Sequence, residues 1–272
     1  MGRATLSKVL FMQYRLNDQR CADFTNDGAV VLPSLISETQ LAASRIAIDR
    51  AMDRSDNYFR RLRAWEDDPQ LKELCCDSQL PAVVAGLLNT TQVNLFYDQV
   101  FTKEPGSGSA TPWHNDQPYW PVRGAGVMTL WLALDDISMD SGPLEFITGS
   151  HRWDRWFQPF VAASDGSAES QYEPEPYFEP LPDFDSQRDQ HDILCWELQA
   201  GDAIAFHALS VHAAKPNVSS TQRRRGYAIR YAGADVVYHE GPANNPRLIN
   251  PELKYGDLLE SEQYPVVFRS SD

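Results

Sequence analysis

His114 and Asp116 stand two residues apart in the run Trp113-His114-Asn115-Asp116-Gln117-Pro118-Tyr119-Trp120. On an extended strand, residues two apart leave the same face, so an imidazole and a carboxylate would sit side by side. Such a pair can hold two adjacent positions around a divalent metal, provided a third ligand arrives from elsewhere. Two histidines and one carboxylate on one face of an octahedron leave the other positions open to reactants, a donor set suited to non-haem Fe(II). By itself a His-x-Asp is more often a surface hydrogen bond, so the pattern needs support from the rest of the chain.

Two further histidines, His207 and His212, follow Gly201-Asp202. Five apart on one continuous strand they would face opposite ways, so at most one reaches a metal and the other packs or supports. Spacing does not say which. Downstream stand Arg223, Arg224 and Arg225, at the head of a strand. Charge pattern alone favours three solvated cations. An arginine turned into a core would instead require a paired anion, and a carboxylate matches its bidentate fork. A dicarboxylate such as 2-oxoglutarate would supply that partner.

The elements that must position these residues are mostly strands. Residues 22–54 read as a short lead, a strand at Gly28–Leu32 stopped by Pro33, and a helix. That helix opens on a capping box, Ser37-Glu38-Thr39-Gln40, and keeps Leu41, Ile48 and Met52 on one side. Packing helices without chemistry are expected at about 69–76 and 79–88. Strands are then expected at 92–103, 126–137, 142–148, 192–198, 203–207, 209–214 and 224–232, each bounded by Gly, Pro, Asn or Asp. Many short strands at this spacing predict an antiparallel sandwich or barrel. The segment 152–190 is acidic and proline-bearing, with Trp153, Trp156, Phe157, Phe160, Tyr172, Tyr177, Phe178 and Phe184. Its length and aromatics predict a lid over the barrel mouth. From Gly233 the chain has little periodicity and is expected to wrap the outside.

Bulk properties narrow the function classes. The 272 residues are 42% hydrophobic and 23% charged, ample for one large core. A net charge of -14 opposes binding to nucleic acid or an anionic membrane, both of which call for a basic face. The chain shows no membrane-length apolar run and no secretory leader, so a cytoplasmic location is expected. Cys21, Cys75, Cys76 and Cys195 lack zinc-type spacing and are expected to be buried reduced thiols. Oligomeric state has no signal here.

The motifs occur in one order: His114-x-Asp116, Tyr119-Trp120-Pro121, Trp131, Gly142-Pro143-Leu144, Gly149-Ser150-His151-Arg152, Gly201-Asp202, His212, Asn217 and the arginine cluster. That order, from about Phe24 to Tyr231, resembles the phytanoyl-CoA dioxygenase family of Fe(II)- and 2-oxoglutarate-dependent oxygenases. The resemblance implies a mainly β fold with flanking α-helices, built on a double-stranded β-helix (jelly-roll, cupin-like) core. It implies a single dioxygenase domain over 1–272: a helical part to about 90, a β core over about 91–235 with the 152–190 insertion, and a tail over about 236–272.

It also implies Fe(II), 2-oxoglutarate and O2 as cofactor and co-substrates, with His114, Asp116 and His212 as iron ligands and His207 outside the set. For the arginine on the far carboxylate of 2-oxoglutarate, counting from His212 indicates Arg223, whereas strand register from Tyr231 indicates Arg224. In the second register Arg224, Gly226, Ala228 and Arg230 share a face, with small residues leaving room for a ligand; Arg224 is preferred. Trp131 and Gln99 join it as co-substrate residues, with Lys103 a weaker candidate. Ala214 stands where some members have a serine. Asn115, Tyr119, Trp120 and Arg230 are the expected substrate walls. The expected reaction is hydroxylation of a small metabolite with release of succinate and CO2. The carboxylate at Asp116 weighs against halogenation, since halogenating relatives carry a small residue there. Desaturation or oxidative cyclisation, a cupin-like metal enzyme without 2-oxoglutarate, and a non-catalytic binding barrel remain as alternatives.

Overall fold

A computed structural model describes residues 14–53, 62–162, 168–169 and 175–270 of the chain. The N-terminal part contributes α1 (Asp18–Asp27), β1 (Ala29–Leu32), α2 (Glu38–Asp53), α3 (Ala64–Asp67), α4 (Pro69–Lys72), a π turn at Glu73–Asp77 and α5 (Leu80–Leu88). The capping box forms as expected: Ser37 Oγ accepts from the Gln40 amide at 3.2 Å, and Gln40 Oε1 accepts from the Ser37 amide at 3.0 Å. α1 lies where a plain lead was expected. Asn17 caps it and Gly28, at φ 80°, stops it, but Phe24 is its one buried residue, which leaves almost no periodicity to read.

Strands dominate thereafter: β2 (Gln92–Lys103), β3 (Thr111–His114), β4 (Val122–Arg123), β5 (Val127–Ala133), β6 (Leu144–Ile147), β7 (Val161–Ala162), β8 (Ala168–Glu169) and β9 (Ile193–Cys195). They are followed by β10 (Ala203–His207), β11 (His212–Ala214), β12 (Arg224–Gly233), β13 (Val237–Tyr238) and β14 (Val266–Arg269). A six-stranded sheet runs β1-β10-β5-β12-β2-β14 and a four-stranded sheet runs β3-β11-β6-β9. Every pairing in both is antiparallel. Consecutive strands alternate between the sheets, β10 to β11 and β5 to β6, which is the winding of a double-stranded β-helix, or jelly roll.

The large sheet has two distinct faces. Its outer face buries Leu130, Leu132, Ile229 and Tyr231 against Leu41, Ile48, Leu71, Leu80 and Val84 of the helices. Each fully buried aliphatic side chain contributes about 1.5–3 kcal/mol. Its inner face reads across strands in rows. Arg224 pairs with Lys103; Gly226 with Phe101 and Ala133; Ala228 with Gln99 and Trp131; Arg230 with Tyr97 and Thr129. The tail does more than wrap the outside. β14 pairs with β2 as an edge strand, and Tyr238, Leu248, Leu259 and Tyr264 close a core cluster with Phe96 and Trp120.

One acid is buried on the outer face. Asp98 is fully inaccessible; its Oδ2 accepts from the Tyr227 hydroxyl at 2.5 Å and the Trp65 amide at 3.1 Å, while Oδ1 has no partner. Burial pushes the carboxyl from 3.8 up to about 6, against the pull of those hydrogen bonds. The folded chain therefore holds this proton more tightly than the unfolded one, so stability present below about pH 4 is lost as pH rises through about 6. Asp98→Asn removes the charge. Relative to wild type, its stability is expected to rise by roughly 2–3 kcal/mol between about pH 4 and pH 7.5. Denaturant melts across that range check this; parallel pH profiles for the two proteins would contradict it.

Candidate active site

His114 is the last residue of β3, but Asp116 is not on the strand. With φ -77° and ψ -40° it begins the 3-10 turn Gln117–Tyr119. The shared face of an extended strand is therefore not what brings the two together. The turn is pinned instead: the amides of Asp116 and Gln117 both donate to the Ala208 carbonyl, at 2.9 and 3.0 Å. Ala208 belongs to the link between β10 and β11, so His207 and His212 lie on different sheets rather than on one continuous strand. His207 is fully engaged. Its Nδ1 accepts from the Leu209 amide at 3.0 Å, which leaves Nε2 to donate to the Ala125 carbonyl at 2.7 Å. His212 opens β11 directly opposite His114.

The two facing imidazoles are held alike. His114 Nδ1 lies 2.8 Å from the Pro112 carbonyl and His212 Nδ1 lies 3.0 Å from that of Ser210. A carbonyl only accepts, so Nδ1 carries a proton in each ring and Nε2 is the nitrogen left to face the site. Those Nε2 atoms lie 3.5 and 4.0 Å from Asp116 Oδ1, and all three donor atoms fall within 4.8 Å of one another. Burial, with His114 beside it, pushes His212 down to about 4, so it is neutral at pH 7 as a metal ligand must be. Burial alone would raise the Asp116 carboxyl; contact with His114 and the charges around it hold it well below the usual carboxylate range instead. Asp116 Oδ2 is buried without a hydrogen-bond partner. Two imidazole nitrogens and one oxygen of an ionised carboxylate converging on one point fit a divalent cation of the iron type.

The inner face of the large sheet carries buried basic side chains. Arg224 is 2% exposed and Lys103 is 4% exposed. Arg224 Nε and Nη2 donate to the Gly142 carbonyl at 3.1 and 2.6 Å, while Lys103 Nζ donates to the Ala214 and Lys215 carbonyls. Among the described residues neither has an acidic partner. Burial pulls Arg224 down to about 10, and burial with the neighbouring Arg224 pulls Lys103 to about 7. A buried guanidinium without an anion, beside a lysine whose protonation an entering negative charge would favour, can bind a carboxylate. Arg223 and Arg225 point elsewhere, the first to Asp49 and Glu104 and the second to Asp49 and Asp135.

Trp131 fills the space that the small residues of β12 were expected to leave for a ligand. Its indole lies across Gly226, where a Cβ would come 2.0 Å from the ring, and 5.1 Å from the Arg224 guanidinium. Gly226→Ala is expected to displace both side chains at a stability cost of about 1–3 kcal/mol. Weaker 2-oxoglutarate binding with unchanged Fe(II) binding, both read by anaerobic titration, is the accompanying expectation.

The remaining expected residues divide. Gln99 stands in the Trp131 row, half-buried. Asn115 is buried, and both ends of its amide engage the backbone of the following segment: Nδ2 donates to Arg155 O at 2.8 Å and Oδ1 accepts from Phe157 N at 3.4 Å. It ties segment 155–157 to the site rather than lining open space. Trp120 is 2% exposed, edge-on to Phe96 and Tyr97, and is likewise no open wall. Tyr119 is half-buried at the mouth, its hydroxyl donating to Phe160 O at 2.7 Å, and both rings lie about 6 Å from His114. Arg230 is buried beside Asp116, with Nη2 3.9 Å from Oδ2.

Segment 152–190 does two things where it is described. Phe157 and Phe184 pack with Trp113 and Val211 on the outer side of the small sheet, while Phe160 reaches the mouth. Tyr172 lies outside the described residues. Two supports were not singled out from sequence. Ser150 Oγ accepts from the Val211 amide at 2.8 Å, fixing the residue before His212. Asn217 donates to Lys103 O and Gln222 O at 3.0 and 2.8 Å, setting where Arg224 enters its strand. Both stood in the ordered motifs, yet their hydrogen bonds span distances in sequence that no local pattern reveals.

Fold and site together define a jelly-roll protein with a His-x-Asp…His cluster that could hold a metal ion and, on the facing sheet, two buried basic side chains. The chain belongs to the phytanoyl-CoA dioxygenase (PhyH) family, whose profile matches residues 24–226. Phytanoyl-CoA dioxygenase of Arabidopsis thaliana is 27% identical over 170 residues, 62% of this chain and 55% of that protein. L-proline trans-4-hydroxylase of Streptomyces griseoviridis is 26% identical over 219 residues, 74% of this chain and 81% of that protein. The crystal structure of the non-haem alpha-ketoglutarate-dependent carbocyclase SnoK from nogalamycin biosynthesis superposes with a TM-score of 0.73 at 21% identity, covering 93% of this chain and 97% of that one. The chain spans little more than half the length of the curated phytanoyl-CoA dioxygenases it matches.

Proposed function

We propose that the protein is a non-haem oxygenase that uses Fe(II), 2-oxoglutarate and O2 to hydroxylate a small metabolite, with release of succinate and CO2. The observation that carries this reading is the pairing of three converging donors, His114, Asp116 and His212, with Arg224 and Lys103, which are buried on the facing sheet without an acidic partner among the described residues. Iron held by the three donors supplies activation of O2, chemistry that no side chain provides. Arg224 grips the far carboxylate of 2-oxoglutarate through its fork, and Lys103 adds charge beside it. Trp131 backs the arginine, and Gln99 in the same row offers a hydrogen bond. Phe146 and Phe206, 5.7 and 4.8 Å from the His212 ring, exclude water from the ligand side. Tyr119 and Phe160 stand at the mouth, where a substrate enters.

Similarity to a proline hydroxylase supports a small substrate, and a net charge of -14 disfavours a polyanionic acyl-CoA. Similarity in fold to a carbocyclase supports a second outcome, oxidative cyclisation or desaturation of a natural-product intermediate on the same ligand set. Among the described residues no helix is long and apolar enough to cross a membrane. The test is anaerobic addition of Fe(II) and then 2-oxoglutarate, which is expected to develop a visible metal-to-ligand charge-transfer band. No band in the wild-type protein overturns the proposal. Succinate release across a panel of small metabolites then identifies the substrate.

A further inference from the structure

Arg230 stands where a substrate contact was expected, yet it is 3% exposed. Its guanidinium is boxed by aromatic rings, 4.7 Å from the centroid of Tyr97, 5.5 Å from Phe101 and 5.8 Å from Trp120. Such faces attract a cation but do not neutralise it. Its one described hydrogen bond is a long one, 3.5 Å to the Ala228 carbonyl of its own strand, and Nε has no partner. Burying an arginine this way costs several kcal/mol unless a specific anion answers it.

The anion that faces it is Asp116. The two carboxylate oxygens are sorted: Oδ1 lies 3.5 and 4.0 Å from the Nε2 atoms of His114 and His212, while Oδ2 lies 3.9 Å from Arg230 Nη2. Oδ2 and Arg230 Nε are both buried with unspent hydrogen-bonding capacity. In the same row across the sheet, Thr129 Oγ1 is also buried without a partner. Arg230 is thus placed to fix the rotation of the Asp116 carboxylate, and the box of rings fixes Arg230.

We infer that Arg230 is a positioning residue that holds Asp116 Oδ2, so that Asp116 offers the metal one oxygen and a second coordination place stays free for the co-substrate. The inference rests on the metal-site reading above. Without the guanidinium, both carboxylate oxygens turn to the metal and compete with 2-oxoglutarate. Substrate contact by Arg230 is the rival role, and it moves different quantities.

Co(II) is the probe, because its visible bands report the number and kind of donors without turnover. Arg230→Ala and Arg230→Gln are compared with wild type and with Arg230→Lys, which keeps the charge but not the fork. The Co(II) bands are expected to shift in the alanine and glutamine variants, and 2-oxoglutarate binding to the Co(II) protein to weaken about tenfold or more. Lysine is expected to recover part of both. Glutamine, which keeps a donor and most of the volume, carries the test where the alanine variant does not fold. Wild-type Co(II) bands and wild-type 2-oxoglutarate affinity in a folded variant overturn the inference, including where substrate KM alone rises. Failure of the wild-type protein to bind Co(II) overturns the metal-site reading itself, and this inference with it.

Discussion

Asp116→Ala and His212→Ala are each expected to abolish the charge-transfer band and to lower succinate release by at least about a thousandfold, beyond the 10–100-fold typical of partners outside the ligand set. His212 is the ring wedged between Phe146 and Phe206, so its loss also leaves a cavity between two sheets. Asp116→Ala leaves Arg230 buried among rings with no facing anion, so it is expected to lower stability by several kcal/mol as well. Asp116→Asn keeps the volume but likewise removes the anion facing Arg230, so metal binding is expected to be lost and stability to fall, by less than in Asp116→Ala. A strong band in a folded Asp116→Asn or His212→Ala protein would exclude that residue from the ligand set. His207→Ala provides the contrast. Its hydrogen bonds run to the Ala125 carbonyl and the Leu209 amide, so stability should fall while Fe(II) still binds.

Arg224→Ala is expected to weaken 2-oxoglutarate binding roughly a hundredfold, the scale of truncating one member of a buried charge pair. Fe(II) binding should stay close to wild type, because no metal donor is touched. The effect grows from burial: Arg224 has no acid among its described partners, so a carboxylate that enters meets an undischarged guanidinium. Arg223→Ala removes a partly exposed pair with Asp49 and Glu104 and is expected to leave co-substrate affinity unchanged, since such pairs contribute about 0–1 kcal/mol. Anaerobic titrations of the charge-transfer band separate the two variants, and a large effect in Arg223→Ala alone would place the co-substrate on the other side of the strand.

Much of this architecture could be read along the chain. β2 falls at the expected residues 92–103, and β10 at 203–207, because alternation of Val, Phe and Tyr with polar residues needs only local sterics. Strand parity likewise put Arg224, Gly226, Ala228 and Arg230 on one face, and the rows across β2 and β5 bear that out. α1 escaped because a helix with a single buried residue has no stripe to detect. β14 and the Tyr238–Tyr264 cluster escaped because an edge strand is defined by the partner it meets.

Residue types and their order, through the family resemblance they carry, singled out His114, Asp116, His212 and Arg224 as candidates, since ligand chemistry depends on side-chain identity. How they meet was decided in three dimensions. Asp116 reaches His114 through a turn hung on the Ala208 carbonyl, 92 residues downstream, and not through the pleat of one strand. The choice between His207 and His212 was made by which sheet each joins, and the fate of the small residues on β12 by Trp131 lying across Gly226. Arg230 changed most: its type and parity allowed a substrate contact, and only packing turned it toward Asp116. Sequence supplies donors, charges and periods because these are local properties; distance, burial and partner belong to contacts between segments far apart in the chain.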